Sequence, residues 1–405
     1  MNGLIIAVFV AVYLGMALGR WPGFAINRTG VAMIGAVVLM VTQALSGSQA
    51  IQSIDFSTLA VLLTLMVLSG QYAASGFFDW VADRITHMPL SSRSLLGVVI
   101  VIAGVLSALM TNDVVVWATT PVLIRGLLER GLDPKPYLIA LACAANAGSV
   151  ATMIGNPQNL LIAHVGDLHF LTFVGRCIVP AVLAMGVVYL VIGRSKFMDA
   201  NHAIAPRGSK SSQPCQLKPR LLLKAVLATI ALIAIFIFVE DRGSWSLLIV
   251  ALLLLNRKLG TERLLQQVDW QLLALFTCLF IVTGALANAP ALAGDFQHLL
   301  RVMNIDHTAV LAGLSLLGSN TIGNVPWVML LLPMGHWPDH LLYSLAIFST
   351  LAGNLLIVGS VANIIVIEQA KAHDIHIGFG EFARIGVPVT LISFVLAGIW
   401  VMLSM

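Results

Sequence analysis

The sequence predicts an all-α polytopic membrane protein made of two inverted-topology repeats, each with a re-entrant helical hairpin and a broken transmembrane helix. Three observations predict it. Of the 405 residues, 59% are hydrophobic and only 10% are charged, where soluble domains carry roughly 25% charged residues. Two apolar segments of about bilayer-crossing length, residues 137–165 and 343–370, are interrupted in the middle by glycine, proline and amide side chains. Basic residues gather in those loops that a consistent topology places on one side.

The first interruption, GSVATMIGNPQN, spans residues 148–159. Gly148, Gly155 and Pro157 weaken the backbone ladder, and Asn156, Gln158 and Asn159 carry amides to mid-membrane depth. An unpaired backbone group in hydrocarbon costs several kcal/mol, so such a break survives only inside protein or beside a water-filled cavity. A proline kink satisfied by neighbouring helices is the plainer alternative. The second interruption, AGNLLIVGSVAN at residues 352–363, favours a repeat: Gly155 and Asn159 match Gly359 and Asn363 at the same separation.

Taken in order, the chain offers spans at residues 4–18, 30–45 and 56–72. The first lacks a positive leader region and is followed by Arg20, which favours a span over a cleaved signal peptide. A short polar stretch with Asp79, Asp83, Arg84 and Arg93 leads to an apolar run at 95–128. Thr111-Asn112-Asp113 and Pro121 interrupt that run, which is either one long kinked span or a hairpin of residues 94–128 with its polar tip at mid-membrane. A basic loop at 125–135, the broken span and a further span at 172–192 complete a first repeat of residues 1–193. Residues 194–220, rich in Lys, Arg, Ser and Pro, read as a linker. The second repeat, residues 221–405, has spans at 223–239, 246–255 and 270–287, a hairpin at 307–334, the second broken span and a last span at 382–403.

Polar anchors recur in the same order. Asn112 lies nine residues before Pro121 and Asn324 nine before Pro333; Arg176 lies four before Pro180 and Arg384 four before Pro388. Asp55-Phe56 is echoed by Asp269-Trp270. Asp113-Val114 aligns with Val325-Pro326, so only the first half carries a carboxylate at its tip. Asn320, in Ser319-Asn320-Thr321, is a secondary candidate for the second tip. Five spans plus a hairpin make an odd number of crossings and invert the second half. With the N-terminus periplasmic, the linker is cytoplasmic and only Arg176, Arg242 and Arg301 of 22 basic residues fall outside. Full crossing by both interrupted runs would split the charges between faces, so the hairpin is preferred. The expected location is the cell inner membrane.

The net charge of +4 is dispersed in short loops, which argues against a nucleic-acid partner. The four cysteines are scattered, and neither an HExxH nor a phosphate-binding glycine loop occurs. His373 and His376 read as a solvated helix end. An enzyme is not expected.

TNDVVVWATTP, GSVATMIGNPQN and the later GSVAN resemble the ion transporter superfamily. It comprises arsenite permeases, sodium/proton antiporters of the NhaD type, citrate carriers and divalent-anion/sodium symporters. The resemblance covers roughly residues 56–192 and 270–403 and is closest to the anion-permease, citrate-carrier-like branch. It implies a homodimer in the lipid bilayer, with a static scaffold and a transport domain that moves like an elevator. It also implies substrate or ion positions at the first tip (Thr111, Asn112, Asp113), at the first break (Gly155, Asn156, Pro157, Asn159), at the second tip (Asn320, Asn324) and at the second break (Gly359, Ser360, Asn363). Sodium would fall at Asn112, Asp113 and Asn324. Symporter members carry Ser-Asn-Thr at both tips, whereas this chain has Thr-Asn-Asp and Gly-Asn-Val.

The chemistry agrees with a charged cargo. Half-helix N-termini suit an anion, and amide and carbonyl oxygens suit a hard cation. Asp113 is read either as a carrier of a proton or sodium ion or as a surface partner of Arg93 or Arg125. The expected function is a secondary active permease for a small inorganic or organic anion, coupled to sodium or protons, with no other cofactor. The alternatives are a sodium/proton antiporter, and a channel or arsenite efflux permease driven by a separate ATPase.

Overall fold

A computed structural model describes residues 2–19, 21, 23–195, 217–255, 259–335 and 337–404. Most of the expected linker, with Cys215, and the loop charges Arg20 and Arg257 lie outside the described residues. Among the described residues the chain is helical without strands and falls into two series of ten. The first is α1 (Asn2–Leu18), α2 (Arg28–Val41), α3 (Gly47–Ser53), α4 (Phe56–Ser75), α5 (Phe77–Thr86), α6 (Ser92–Leu109), α7 (Asn112–Glu129), α8 (Lys135–Ser149), α9 (Pro157–Val165) and α10 (Phe170–Gly193). The second is α11 (Pro219–Phe238), α12 (Arg242–Leu254), α13 (Thr261–Leu265), α14 (Trp270–Ala287), α15 (Pro290–Val302), α16 (Thr308–Ile322), α17 (Asn324–Leu331), α18 (Asp339–Ala352), α19 (Val361–Ala372) and α20 (Phe379–Ser404).

Six helices, α4, α6, α10, α11, α14 and α20, are long and apolar enough to cross a membrane. Outward-facing Val182 and Leu190 on α10, Leu227 and Ile230 on α11, and Val395 and Ile399 on α20 give them a lipid-facing surface. Matching helices begin in matching ways. Asp55 Oδ1 accepts from Thr58 N at the start of α4, and Asp269 Oδ1 from Leu272 N at the start of α14, both at 2.9 Å. Asn27 caps α2 through Gly30 N and Asp241 caps α12 through Ser244 N. Caps of this kind contribute about 1 kcal/mol each.

The packing is also exchanged between halves. α2 packs on α14 and α4 on α12; α7 packs on α19 and α9 on α17. Two groups result: α1, α2, α4, α11, α12 and α14 form one, and the hairpins, broken spans, α10 and α20 form the other.

The run at 95–128 is a hairpin. Tyr137 Oη, at the start of α8, donates to Ser92 O at the start of α6 (3.1 Å), and Thr152 Oγ1 donates to Ala108 O near the far end (2.6 Å). α6 and α8 therefore run parallel, and α7 must bring the chain back to the side where α6 began. Arg130, just past α7, closes the return by donating to Met88 O and Leu90 O. Close contact of α6 and α8 needs glycine: a Cβ on Gly148 would sit 2.3 Å from Gly104 Cα. In the second hairpin the turn is Gly323, whose φ of +98° favours glycine. Trp327 Nε1 donates across its arms to Ser315 Oγ.

Two readings change. The polar stretch before the first hairpin is a helix, α5, because Phe78, Val81, Ala82 and Ile85 recur at helical spacing and are buried. The second span ends at Val41 rather than residue 45, with Gln43 in the left-handed region at φ 57°.

Candidate functional site

Each broken span ends its first arm with an asparagine-organised turn. Asn159 Nδ2 donates to the carbonyls ten and seven residues before it, Ser149 O and Thr152 O; Asn363 Nδ2 donates to those ten and seven before it, Gly353 O and Leu356 O. Carbonyls that α8 and α18 leave open at their ends are thereby satisfied. The second arms restart on polar caps: Asn156 Oδ1 accepts from Asn159 N, and Ser360 Oγ from Ala362 N.

Two hubs bind the halves together. Asn146 Nδ2 donates to Asn354 Oδ1 (2.9 Å) and Asn363 Oδ1 (3.0 Å), and its Oδ1 accepts from Asn112 Nδ2 and Ser360 Oγ, both at 2.9 Å. Thr350, the matching position of the second half, donates to Asn159 Oδ1 and accepts from Asn156 Nδ2 and Gln158 Nε2. The first tip joins the same network through Asn112 N, which donates to Gly155 O at 3.0 Å.

The outcome is a convergence of helix N-termini. Asn112 and Asp113 begin α7, Pro157 begins α9, Asn324 begins α17 and Val361 begins α19, and all line one cavity of about 60 Å³. Asn112 Oδ1 and Asn324 Oδ1 are buried acceptors with no partner among the described residues. Positive helix ends with two free carbonyl oxygens and a carboxylate can hold an anion beside a hard cation. A wider space of about 310 Å³, reaching Thr111, Asp113 and Trp117, and another of about 520 Å³, reaching Arg28 and Asp269, adjoin it. These spaces lie between the two packing groups: α2, α4 and α14 on one side, α7 and α19 on the other.

Of the expected positions, Asn112, Asp113, Pro157, Asn324, Gly359 and Ser360 line the small cavity, and Thr111 lines its larger neighbour. Gly155, Asn156, Asn159 and Asn363 are instead buried in the bonds that shape the breaks. At Gly155 a Cβ would meet Ser149 O at 2.4 Å. Asn320 packs against Gly359 and donates to Leu316 O and Ala352 O, outside the cavity lining. Asp113 forms no ion pair with Arg93, Arg125 or any other described residue, against the surface-partner reading. Asn146, Thr350 and Asn354 were not legible as site residues, although Asn146 and Thr350 are polar side chains in apolar arms at matching distances from Asn159 and Asn363, and Asn354 lies in the second break.

The profile described as citrate transporter matches residues 9–336. The chain belongs to the citrate transporter family. With the wider ion transporter superfamily as its setting, this citrate transporter family member is a multi-pass membrane transporter. It is 29% identical to a 46 kDa membrane protein of Mycobacterium leprae, over 100% of this chain and 99% of the relative. It is also 29% identical to a silicon efflux transporter of Oryza sativa subsp. japonica, over 92% and 91% of the two chains. Its fold is similar to that of the YdaH transporter of Alcanivorax borkumensis, with a TM-score of 0.58 at 15% identity, over 99% and 97% of the chains.

Proposed function

We propose that this protein is a secondary active permease that moves a small anion or oxyanion across the inner membrane, coupled to sodium or protons. The observation that carries the proposal is the meeting of four helix N-termini and two unpartnered asparagine oxygens on one cavity. The anion is held by the helix ends, and the coupling cation by Asn112, Asp113 and Asn324. The hairpins and broken spans move as one body against the α2–α4–α14 scaffold, elevator fashion, within a homodimer. Citrate is the cargo that the family's name suggests and silicon the one that a relative's name suggests.

The test is thermal stability of the purified protein with citrate, phosphate, arsenite and orthosilicate, each in sodium and in potassium, followed by flux in proteoliposomes. A true cargo at a hundred times its Kd adds about 2.7 kcal/mol to stability. Asn112→Ala and Asn324→Ala should each abolish that gain and the flux; basal melting should stay near native in Asn324→Ala and fall modestly in Asn112→Ala, which also loses its bond to Asn146. Normal flux in both variants would reduce the tips to turns. Sodium-dependent proton exchange with no anion flux would instead support the antiporter reading, since Asp113 can carry charge alone.

Orientation has its own test. After removal of native cysteines, a cysteine in the 209–213 linker should react with impermeant thiol reagent from the cytoplasm, and one at Ser48 from the periplasm. Labelling of both from one face would refute the inverted arrangement.

A further inference from the structure

Arg28 and Arg242 are the same residue of the two repeats. Each is the first residue of its helix, α2 or α12, behind a side-chain cap supplied by Asn27 or Asp241. Arg28 stands 27 residues before the Asp55 cap of α4, and Arg242 stands 27 before the Asp269 cap of α14. Helix starts normally favour anions over cations, so a guanidinium at both is unfavourable locally and calls for a further reason.

Their surroundings differ. Arg242 Nη2 donates to Leu168 O in the loop after α9 at 3.1 Å, and its guanidinium lies 5.7 Å from the Phe236 ring centre. On the same side His164 of α9 meets Asp55 at 3.4 Å. That side is closed. Arg28, by contrast, lines both the small cavity at the helix ends and the 520 Å³ space that opens from it. Its Nε, like that of Arg242, is buried and has no acceptor; what Arg28 lacks is any hydrogen bond of the kind Arg242 makes to Leu168 O, and no carboxylate lies within ion-pair distance among the described residues. Asp269, the counterpart of Asp55, lines the same open space without an ion pair. A buried guanidinium donor without an acceptor is costly, and its planar fork fits carboxylates and oxyanions.

We infer that Arg28 and Arg242 are paired anion-receiving residues that alternate between cavity and seal. Arg28 meets the anion when the site faces the linker side, while Arg242 is occupied by Leu168 O. When the hairpin body moves, α9 leaves Arg242, which then faces the cavity. The loop after α19 closes over Arg28 in the way the loop after α9 now closes over Arg242. Neither residue belongs to the hairpin body: both stay on the scaffold, so the anion is passed from one to the other. This inference rests on the anion-permease reading.

The experiment measures sided flux in oriented proteoliposomes, with whichever of citrate and phosphate the native protein moves faster. Arg28→Gln should raise KM from the linker side about tenfold to a hundredfold, with kcat within about threefold, as expected for loss of a charge-assisted contact. KM from the opposite side should stay near native. Arg242→Gln should show the reverse sidedness. Arg28→Lys and Arg242→Lys, which keep the charge but not the fork, should recover part of the lost affinity on the same side and guard against a folding artefact. Equal KM changes on both sides, or a lower kcat at unchanged KM, would make the arginines structural and overturn the inference. Unchanged KM with an altered pH profile would make Arg28 a partner of Asp113, which also overturns it. A native protein that moves neither anion fails the anion-permease reading itself, and the inference with it. Native flux with silent arginine variants sinks the inference alone.

Discussion

Asp113→Asn is expected to leave the protein folded and to cut net transport by about a hundredfold, because a carboxylate held inside the membrane at an energetic cost is there to carry charge. Asp113 is the second residue of α7 and lines both the small cavity and the 310 Å³ space beside it. It has no ion-pair partner among the described residues, so nothing in the protein requires its charge for packing. The amide keeps the shape and forfeits about 0.3–1 kcal/mol of favourable helix-end electrostatics. What disappears is the titratable site. Flux measured across a pH series, with and without sodium, should lose its dependence on the coupling ion in the variant. Native rate with a native pH profile would move coupling to the carbonyls of the two breaks.

A larger effect on stability is expected for Asn146→Leu. The change removes four hydrogen bonds at once and leaves Asn354 Oδ1, Asn112 Nδ2, Ser360 Oγ and one acceptor of Asn363 to find other partners. A buried polar group left unpaired costs about 1–3 kcal/mol, and the surroundings of Asn146 are fully buried. Melting in detergent should fall by many degrees, and transport should be lost. Thr350→Val, at the matching position, removes three bonds and should fall less. A variant of Asn146 that melts within about 2 °C of native would mean that water replaces the lost groups.

The elements were legible where a rule of composition met a rule of spacing. Helix α14 begins and ends where the Asp269-Trp270 echo and the apolar run place it. The hairpin tips were legible from Asn–Pro spacing, and Asn112 and Asn324 do begin the returning arms. The network was not. A single asparagine or threonine in an apolar arm looks the same whether it bonds its own helix or a helix 208 or 217 residues away. Only the fold brings Asn146 to Asn354 and Asn363. Arg28 reads from sequence as one more loop charge, because position in a loop is visible and burial of its Nε is not. The breaks were read as ligand positions, yet four of their seven named residues, Gly155, Asn156, Asn159 and Asn363, are spent on shaping the turns.

The exchange of partners between the halves has a consequence for biogenesis. When the ribosome has delivered the first repeat, Asn146, Asn156 and Asn159 are already made, while Thr350, Asn354, Ser360 and Asn363 are not. The half-made chain therefore holds the Asn146 and Gln158 amides at mid-bilayer with their acceptors still untranslated, and Asn159 Oδ1 without its Thr350 donor, a state that hydrocarbon penalises. The first broken span can settle only after the last third of the protein has been inserted. Insertion and maturation are thus separate events for this chain. Truncations that stop before residue 363 should be cleared by membrane quality control even though every span of the first repeat is present.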